Sequence, residues 1–293
     1  MLGDSMRLRA MAKINLGLDV TKKRADGYHE VRMVMQTIRM YDQIDIEISR
    51  QPGVHLQTNL PYLPVNDNNL VSRAAKLLME EFNIKEGLYI NLKKVIPVAA
   101  GLAGGSSDAA ATMVGVNRIF KLGLSTEDLM KRAVTMGADI PYCIMRGTAL
   151  AEGIGEELTI LPSAPACYVL IGKPGISVST RFVYGNLKAD EIVNHPNIDG
   201  IVEAIEKNDF GQMVENMGNV LEEVTIPAYP IIDEIKQAMM DAGAVKALMS
   251  GSGPTVFGLF DDKGKAEAAR NILRKSHQAK QVFLTTFFNT LQR

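Results

Sequence analysis

The residues with the clearest chemical potential lie in a short glycine- and serine-rich segment, residues 101–107. Three glycines and two serines fall within these seven positions, and an alanine-rich stretch typical of a helix follows directly. A glycine loop that opens a helix exposes backbone N–H groups at the positive end of the helix dipole, and both features attract phosphate. Glycine also permits close approach, since no Cβ shields its backbone. We therefore favour a phosphate-binding loop over a simple strand–helix turn.

This segment fits neither of two familiar nucleotide-binding loops. A P-loop reads GxxxxGK followed by Ser or Thr, and here no lysine precedes Ser106 and Ser107. A Rossmann loop reads GxGxxG and needs a later carboxylate for the ribose, a spacing that the segment does not match. The two serine hydroxyls suit phosphate oxygens or the ligand shell of Mg²⁺. The sequence thus predicts a phosphate loop of another kind.

Two further features are candidates for a site. Lys13 lies in an otherwise apolar strand pattern, and a buried lysine needs a partner, so a carboxylate is expected beside it. Asn15, two residues on, shares its strand face. A second glycine loop, residues 250–254, is equally compatible with a bulge between strands and with a ligand contact.

Composition excludes several classes of protein. The chain has 293 residues, 46% of them hydrophobic and 22% charged, which excludes a disordered chain, a fibrous repeat and a small disulfide scaffold. A formal net charge of -1 argues against nucleic acid as a partner. The two cysteines, Cys143 and Cys167, form no zinc pattern and are expected to be reduced. No apolar run approaches the ~20 residues of a membrane span, so we expect a cytoplasmic protein with no membrane partner.

The elements that must position these residues indicate an α+β fold with two lobes, because strands are grouped early and alternate with helices later. A boundary near Pro162 to Pro165 predicts domains of 1–160 and 161–293. Periodicity predicts strands over residues 8–10, 13–20, 30–40, 43–49, 87–94, 167–172, 247–249, 254–260 and 281–288. It predicts helices over residues 70–82, 108–117, 125–136 and 263–276, with further helical patterns between 198 and 243. Residues 137–141 are expected to end the helix that begins at Ser125.

Three segments together resemble the three motifs of the GHMP-type small-molecule kinases. They are AKINLGL at residues 12–18, the stretch 97–111 and MSGSGPT at residues 249–255, and they occur in the family's order. The resemblance implies a two-lobed α+β fold with the active site in the cleft between the lobes. It also implies an N-terminal domain that binds ATP and carries catalysis, and a C-terminal domain on the substrate side.

Within the family, residues 24–30, 137–141, 153–156 and 173–175 resemble one branch. Its members use ATP and Mg²⁺ to phosphorylate a hydroxyl of a cytidine diphosphate-linked methylerythritol in non-mevalonate isoprenoid precursor synthesis. The resemblance implies this small molecule as the substrate and a monomer or weak homodimer. Another kinase of the family, of homoserine or mevalonate type, stays open as an alternative, as does the related diphosphomevalonate decarboxylase. A non-catalytic ligand sensor of the same fold is a third alternative, although its expected signature is loss of the catalytic lysine or aspartate.

The resemblance assigns Asp139 as the base that accepts the proton of the acceptor hydroxyl, with Lys13 as its charged neighbour. A carboxylate suits this task because an alcohol is a poor nucleophile at neutral pH. A turn-capping aspartate is the alternative for Asp139. Substrate binding is expected from Asp139 together with Asn15, Tyr28 and His29, the aromatic ring stacking on the cytidine base and the imidazole offering a hydrogen bond.

The resemblance also implies a set of ATP contacts around the glycine loop. These residues are Pro97, Gly101, Leu102, Ala103, Gly104, Gly105, Ser106, Ser107, Asn69 and Lys94. Ser107 is in addition the candidate ligand of Mg²⁺. Asn69 has an equally good structural use as a helix cap, and Lys94 could be a solvated strand end. The family has glycine where this chain has Ala99, Ala100 and Ala103, so these alanines are expected at negative φ.

Overall fold

Two compact units emerge from the packing of the computed structural model, which describes residues 5–289. Over these residues the first unit comprises 5–12, 40–98 and 103–145, and the second comprises 13–39, 99–102 and 146–289. Both units are therefore discontinuous along the chain. The predicted boundary at residues 160 and 161 cuts the chain only once, and it stays a prediction.

Two long strands, β1 (Ser5–Lys23) and β2 (His29–Ser49), each contribute to both units. In the first unit, the second half of β2 pairs antiparallel with β4 (Gly87–Lys93), and β3 (Val54–Thr58) pairs parallel with β4. Buried residues alternate with less buried ones along the second half of β2 and along β4, as a half-buried strand requires. Four helices complete the unit: α1 (Leu70–Glu81), α2 (Gly104–Ile119), α3 (Thr126–Ala133) and α4 (Asp139–Met145).

Capping side chains set the starts of two of these helices. Asn69 precedes α1, and its Oδ1 accepts from Val71 N at 3.0 Å. Ser125 precedes α3 and forms a reciprocal capping box with Asp128, as the spacing predicts. Because each cap satisfies N–H groups that have no partner inside the helix, α1 begins at Leu70 as predicted, and Ser125, the first residue of the other predicted helix, is the N-cap of α3.

The second unit contains the first half of β2 and a separate four-stranded sheet. The first half of β2 pairs with β5 (Thr148–Glu152), which pairs with β6 (Glu157–Ile160). The other sheet is antiparallel in the order β10-β7-β9-β8, with bounds Gln281–Thr286, Tyr168–Lys173, Val256–Phe260 and Lys246–Met249. The α-helices of the second unit are α5 (Thr180–Asn186), α6 (Ile198–Glu206), α7 (Phe210–Asn216), α8 (Glu222–Ala228), α9 (Ile231–Asp241) and α10 (Lys263–Ser276).

Helices α9 and α10 cover one face of this sheet at a close distance. A Cβ placed on Gly172 of β7 would lie 2.9 Å from Leu273 of α10 and 2.9 Å from Met239 of α9. A larger residue at that position would therefore displace the side chains through which the two helices contact the strand.

The α+β class is confirmed, and the differences from the predicted elements are local. The predicted strands 30–40 and 43–49 are one continuous strand, β2. Residues 137–141 do not simply end a helix, because a new helix, α4, begins at Asp139. Strands β3, β5 and β6 and helix α5 were not predicted. None of the helices in residues 5–289 combines the length and apolarity that a membrane crossing would need.

Candidate active site

The predicted phosphate loop leads into α2 through a left-handed backbone. Ala99, Gly101 and Ala103 have φ values of 51°, 75° and 54°. The expectation of negative φ was therefore wrong for Ala99 and Ala103, whereas Ala100 does not adopt a positive φ. Ala103 is the N-cap of α2 and makes no side-chain cap, and the first helical bond runs from Ser107 N to its carbonyl at 2.8 Å. The preceding N–H groups of the first turn have no partner within the helix, as anion binding needs.

The second glycine loop lies against residue 101 of the first. Ser250 Oγ donates to Gly101 O at 2.9 Å, and a Cβ on Gly101 would lie 2.1 Å from Ser250 O. Gly251 and Gly253 adopt positive φ, 57° and 84°. This geometry bears out the interpretation of a loop that allows two backbones to approach, while a direct ligand contact of residues 250–254 stays a prediction.

Lys13 and Asn15 are buried neighbours on β1. Lys13 Nζ donates to Asn15 Oδ1 at 2.7 Å, and Asn15 Nδ2 contacts the sulfur of Met33 at 3.4 Å. Within the described part of its own unit, the ammonium thus meets a carboxamide and not the expected carboxylate. That carboxylate partner stays a prediction. Lys13 N also donates to Leu102 O at 3.1 Å, which fixes the strand to the phosphate loop.

Asp139 is the first residue of α4, in the other compact unit. A carboxylate in a first turn is stabilised by the positive end of the helix dipole. Pro141 is tolerated two residues later because N–H groups of the first turn have no helical acceptor. The predicted pairing of Asp139 with Lys13 stays a prediction.

A buried cluster of one lysine and two aspartates lies at the start of α2. Lys94 Nζ contacts Asp42 Oδ2 at 2.5 Å and Asp108 Oδ2 at 2.7 Å, and the exposed fractions of the three side chains are 5%, 0% and 4%. The other oxygen of Asp42 accepts from the backbone N–H groups of Val95 and Ile96. The cluster therefore ties the end of β4 to the first turns of α2.

Electrostatics within this cluster favour a charged lysine. Burial alone would lower the pKa of Lys94, but the charges of Asp108 and Asp42 outweigh it and raise that pKa. Burial, aided by the charge of Asp42, holds the pKa of Asp108 well above its ordinary value despite the opposing effect of Lys94. One oxygen of Asp108 is buried without a hydrogen-bond partner. Neither aspartate was predicted as a site residue, although the cost of burying a lysine without a partner was the signal that could have found them.

Several predicted ATP residues already have structural contacts. Ser107 Oγ donates to Met11 O at 2.6 Å, and its side chain is buried. Asn69 caps α1 through Oδ1, and its Nδ2 donates to Pro64 O at 2.8 Å. Lys94 is engaged by two carboxylates, so its ammonium is committed. Direct ATP contacts of these side chains stay predictions, as does the Mg²⁺ role of Ser107.

Crowding distinguishes the two adjacent glycines at the start of α2. A Cβ on Gly104 would lie 3.0 Å from Ile96 Cγ2 and 3.2 Å from Lys94 Nζ. A Cβ on Gly105 would only reach Leu70 at 3.7 Å, an ordinary van der Waals distance. A Cβ at the first position therefore requires its neighbours to shift by a few tenths of an ångström, whereas the second position has room for one.

His29, the first residue of β2, and Tyr28, directly before it, have opposite exposures. Tyr28 is 61% exposed, and its N–H donates to Asp26 Oδ1 at 3.0 Å. His29 is buried against Tyr184, with ring centroids 5.2 Å apart. Its Nε2 is buried without a hydrogen-bond partner, and burial, assisted by the charge of Lys23, lowers the pKa of the imidazole. Tyr184 of α5 was missed because nothing in its local sequence links it to His29.

Comparison with known proteins places this site in a class. Two family models match, "GHMP kinases N terminal domain" over residues 69–147 and "GHMP kinases C terminal" over residues 201–279. The first covers the phosphate loop and α4, and the second covers the second glycine loop. The chain belongs to the GHMP kinase family.

Individual proteins of the family show which of its members this chain is similar to. The chain is 58% identical to a 4-diphosphocytidyl-2-C-methyl-D-erythritol kinase of Lachnoclostridium phytofermentans, over 98% of this chain and 99% of the relative. A crystal structure of a 4-(cytidine 5'-diphospho)-2C-methyl-D-erythritol kinase superposes with a TM-score of 0.84 at 32% identity, covering 97% of this chain and 100% of the other. A homoserine kinase from Cytophaga hutchinsonii has a TM-score of 0.78 at 22% identity, covering 99% and 96%, and shares the fold.

Proposed function

We propose that this GHMP kinase catalyses the reaction named for these relatives. It transfers the γ-phosphoryl group of ATP to a hydroxyl of 4-diphosphocytidyl-2-C-methyl-D-erythritol, in non-mevalonate isoprenoid precursor synthesis. The full-length identity of 58% supports the assignment. The structural observation that carries it is the contact of the His29 and Tyr184 rings, tilted by 42° to each other, with a buried imidazole nitrogen that lacks a partner.

This pair has the chemistry of a base-binding site. The lowered pKa keeps the imidazole of His29 neutral near pH 7, so the ring has one N–H donor and one acceptor nitrogen. A cytosine offers both a donor and acceptors on one edge, and it can satisfy the unpartnered Nε2. Tyr28 supplies an exposed aromatic face. Homoserine and mevalonate have no base, so neither would use these groups.

ATP is held by the start of α2 in this proposal. The unpaired N–H groups of the first turn suit phosphate oxygens, and the left-handed residues of the loop bring successive N–H groups to one side. Mg²⁺, when bound, neutralises charge on the β- and γ-phosphates. The residues fit an ion held mainly by phosphates and water: residues 5–289 contain no cluster of three carboxylate, imidazole or thiol ligands, and Ser107 Oγ keeps lone pairs after donating to Met11.

The chemical step needs a base and a cation. The acceptor oxygen bonds to the γ-phosphorus, the bond to the β–γ bridging oxygen breaks, and the hydroxyl proton passes to the carboxylate of Asp139. The ammonium of Lys13 stabilises the charge on the transferring group. Asn15 orients that ammonium, because its Oδ1 already accepts from Nζ at 2.7 Å. Its amide nitrogen holds only a weak contact to the sulfur of Met33, so it remains available to the acceptor.

Substitution of Asp139 by Asn tests the catalytic assignment. The variant keeps the shape but cannot accept the proton, so kcat should fall by about 10²–10⁴-fold with ATP binding retained. Asp233→Asn is the control: it too removes a carboxylate from the first turn of a helix, α9, at an exposed position, and it should leave kcat unchanged. Wild-type turnover in the Asp139 variant would refute the assignment.

Acceptor identity is tested by ATP consumption with three acceptors side by side. We expect turnover with 4-diphosphocytidyl-2-C-methyl-D-erythritol, none with homoserine or mevalonate, and competition by free CDP. Preferential turnover of homoserine or mevalonate would move the chain to another branch of the family. If none of the three acceptors supports ATP consumption, the non-catalytic sensor would be favoured. We expect the reaction to run in the cytoplasm, where ATP is available.

A further inference from the structure

Asn219 connects β1 to the second glycine loop within the second unit. The backbone on either side of it forms a short bridge with the strand, because Leu18 N donates to Gly218 O at 2.9 Å and Val220 N donates to Leu18 O at 3.0 Å. Leu18 follows closely on the strand residues Lys13 and Asn15. The main chain at Asn219 is thus fixed to the strand that holds the proposed catalytic lysine.

Both N–H groups of the Asn219 carboxamide donate hydrogen bonds at the second glycine loop. Its Nδ2 donates to Met249 O and to Gly251 O, each at 2.8 Å, while its Oδ1 accepts from Leu221 N at 3.0 Å. The residue is buried. Two donors and one acceptor on so short a side chain are a combination that asparagine provides. The carboxylate of Glu222 adds a bond from Met249 N at 2.7 Å.

The loop that Asn219 holds lies against the parts of the site that act on ATP and acceptor. At Gly251, the position of a Cβ is 3.4 Å from Gly101 O and 3.7 Å from Asn15 Oδ1. Asn15 in turn holds the ammonium of Lys13. A shift of the Gly251 carbonyl would therefore disturb both the phosphate loop and the amide that orients the lysine.

We propose that Asn219 is a positioning residue for phosphoryl transfer, which fixes the second glycine loop against Gly101 and Asn15 and thereby orients Lys13. Asn219 touches neither ATP nor acceptor in this role. The inference rests on the proposed function for the transfer step, but it does not depend on which acceptor is phosphorylated.

Asn219→Asp is the sharpest test, because it keeps the shape and replaces the amide nitrogen, which carries two N–H donors, by one oxygen that faces two carbonyl oxygens. We expect kcat at saturating ATP and acceptor to fall by about 10–100-fold, in the range that a displacement near 1 Å costs. The two KM values should change less than threefold. A protein that is merely less stable would keep its kcat at temperatures well below unfolding.

The pH dependence separates positioning from general damage. The new carboxylate would be buried near Glu222 and two backbone carbonyls, so its pKa would rise above the ordinary value of an aspartate. The nearby cation, Lys236, already contacts Glu222. Protonation restores one O–H donor. The ratio of variant to wild-type kcat should therefore increase when the pH is lowered from 8 to 6. Asn219→Ala has no group to protonate and should show a constant ratio.

Asn216→Asp is the matched control. Asn216 ends α7 only three residues earlier, and its amide bonds Gln212 O and Asn197 away from the loop. It should keep wild-type kcat at both pH values. Failure of the acceptor assignment would show in the wild-type enzyme alone, and the ratios would then be measured with the acceptor that it does phosphorylate.

Three outcomes would overturn the positioning role. They are wild-type kcat in the Asp variant, a loss of kcat that is equal at pH 6 and pH 8, and a wild-type protein that phosphorylates no acceptor. If Asn219→Asp does not fold by circular dichroism, Asn219→Ser decides: a lowered kcat supports the role, and an unchanged kcat refutes it.

Discussion

Lys94→Met would remove the only cation from the buried cluster with Asp42 and Asp108. Methionine fills a similar volume without charge, so both carboxylates would remain in the interior with no compensating ammonium. Removing one partner of a buried ion pair costs about 3–5 kcal/mol of unfolding free energy. This cost should be at the upper end of that range, because two carboxylates and not one lose their cation and Asp42 is completely buried.

The loss should depend on pH with a definite sign. The folded-state pKa of Asp108 is already raised above the ordinary value of 3.8, so the folded protein binds more protons than the unfolded chain between that value and the raised pKa. Stability therefore falls as the pH rises through this window. In the variant the pKa of Asp108 should rise further, because the opposing charge of Lys94 is lost, so the destabilisation should be larger at pH 8 than at pH 5. The raised pKa of Lys94 keeps it charged throughout this range in the wild type.

Equilibrium urea unfolding followed by circular dichroism at pH 5 and pH 8 measures this loss. Lys76→Met is the control: Lys76 pairs with Asp67 on the exposed surface of α1, where such a pair contributes about 0–1 kcal/mol. The KM for ATP should also rise in the Lys94 variant, because the cluster fixes the first turns of α2. A loss no greater than that of the control, or one that grows toward pH 5, would refute the charge assignment in the cluster.

Two further expectations follow from the same region and from the base-binding pair. Gly104→Ala should lower the unfolding free energy and raise the KM for ATP, because its Cβ would meet Ile96 and Lys94. Gly105→Ala should instead raise the unfolding free energy by about 0.5–1 kcal/mol, because alanine has the higher helix propensity. Equal urea midpoints of the two variants would contradict this contrast. Tyr184→Ala should raise the KM for the acceptor and leave the KM for ATP unchanged, since stacking of an aromatic ring on a base contributes about 1–3 kcal/mol of binding free energy. An unchanged acceptor KM in steady-state kinetics would show that Tyr184 does not bind the acceptor.

Local patterns in the sequence were enough for most elements of the fold. Helix α10 has the predicted bounds because apolar residues recur at helical spacing and Asp262 caps it. Strand β2 shows the limit: the charged and aromatic residues at its centre suggest a break, but pairing with different strands along its length keeps it continuous. Helix α4 was missed because proline at its third residue resembles a helix end, although the first turn tolerates it.

The candidate site, like the fold, could be predicted from the sequence only in part. The phosphate loop and the second glycine loop were visible because glycine and serine composition has a direct physical meaning there. The partners of the site residues were not visible, since Asp42 with Lys94 and Tyr184 with His29 are brought together only by tertiary pairing. Local sequence predicts which residues can do chemistry, but it does not predict the residues that hold them.

The alanines of the phosphate loop show how strongly the surrounding contacts determine its shape. A left-handed conformation costs an alanine about 1–2 kcal/mol, and Ala99 and Ala103 both adopt it. Such residues persist only where their surroundings over-determine the backbone. Three successive carbonyls of the loop are engaged by protein donors: Gly101 O by Ser250 Oγ, Leu102 O by Lys13 N and Ala103 O by Ser107 N.

These three bonds also set the direction of the neighbouring N–H groups. In a trans peptide the N–H points opposite to the carbonyl of the preceding residue. Since the carbonyls of residues 101–103 are directed at protein donors, the N–H groups of residues 102–104 are directed away from them. Successive N–H groups left free in this way would suit the phosphate oxygens that we propose the loop binds. In that proposal, phosphate binding depends on where the carbonyls of the loop are bound, and alanine can replace glycine as long as those bonds outweigh the strain.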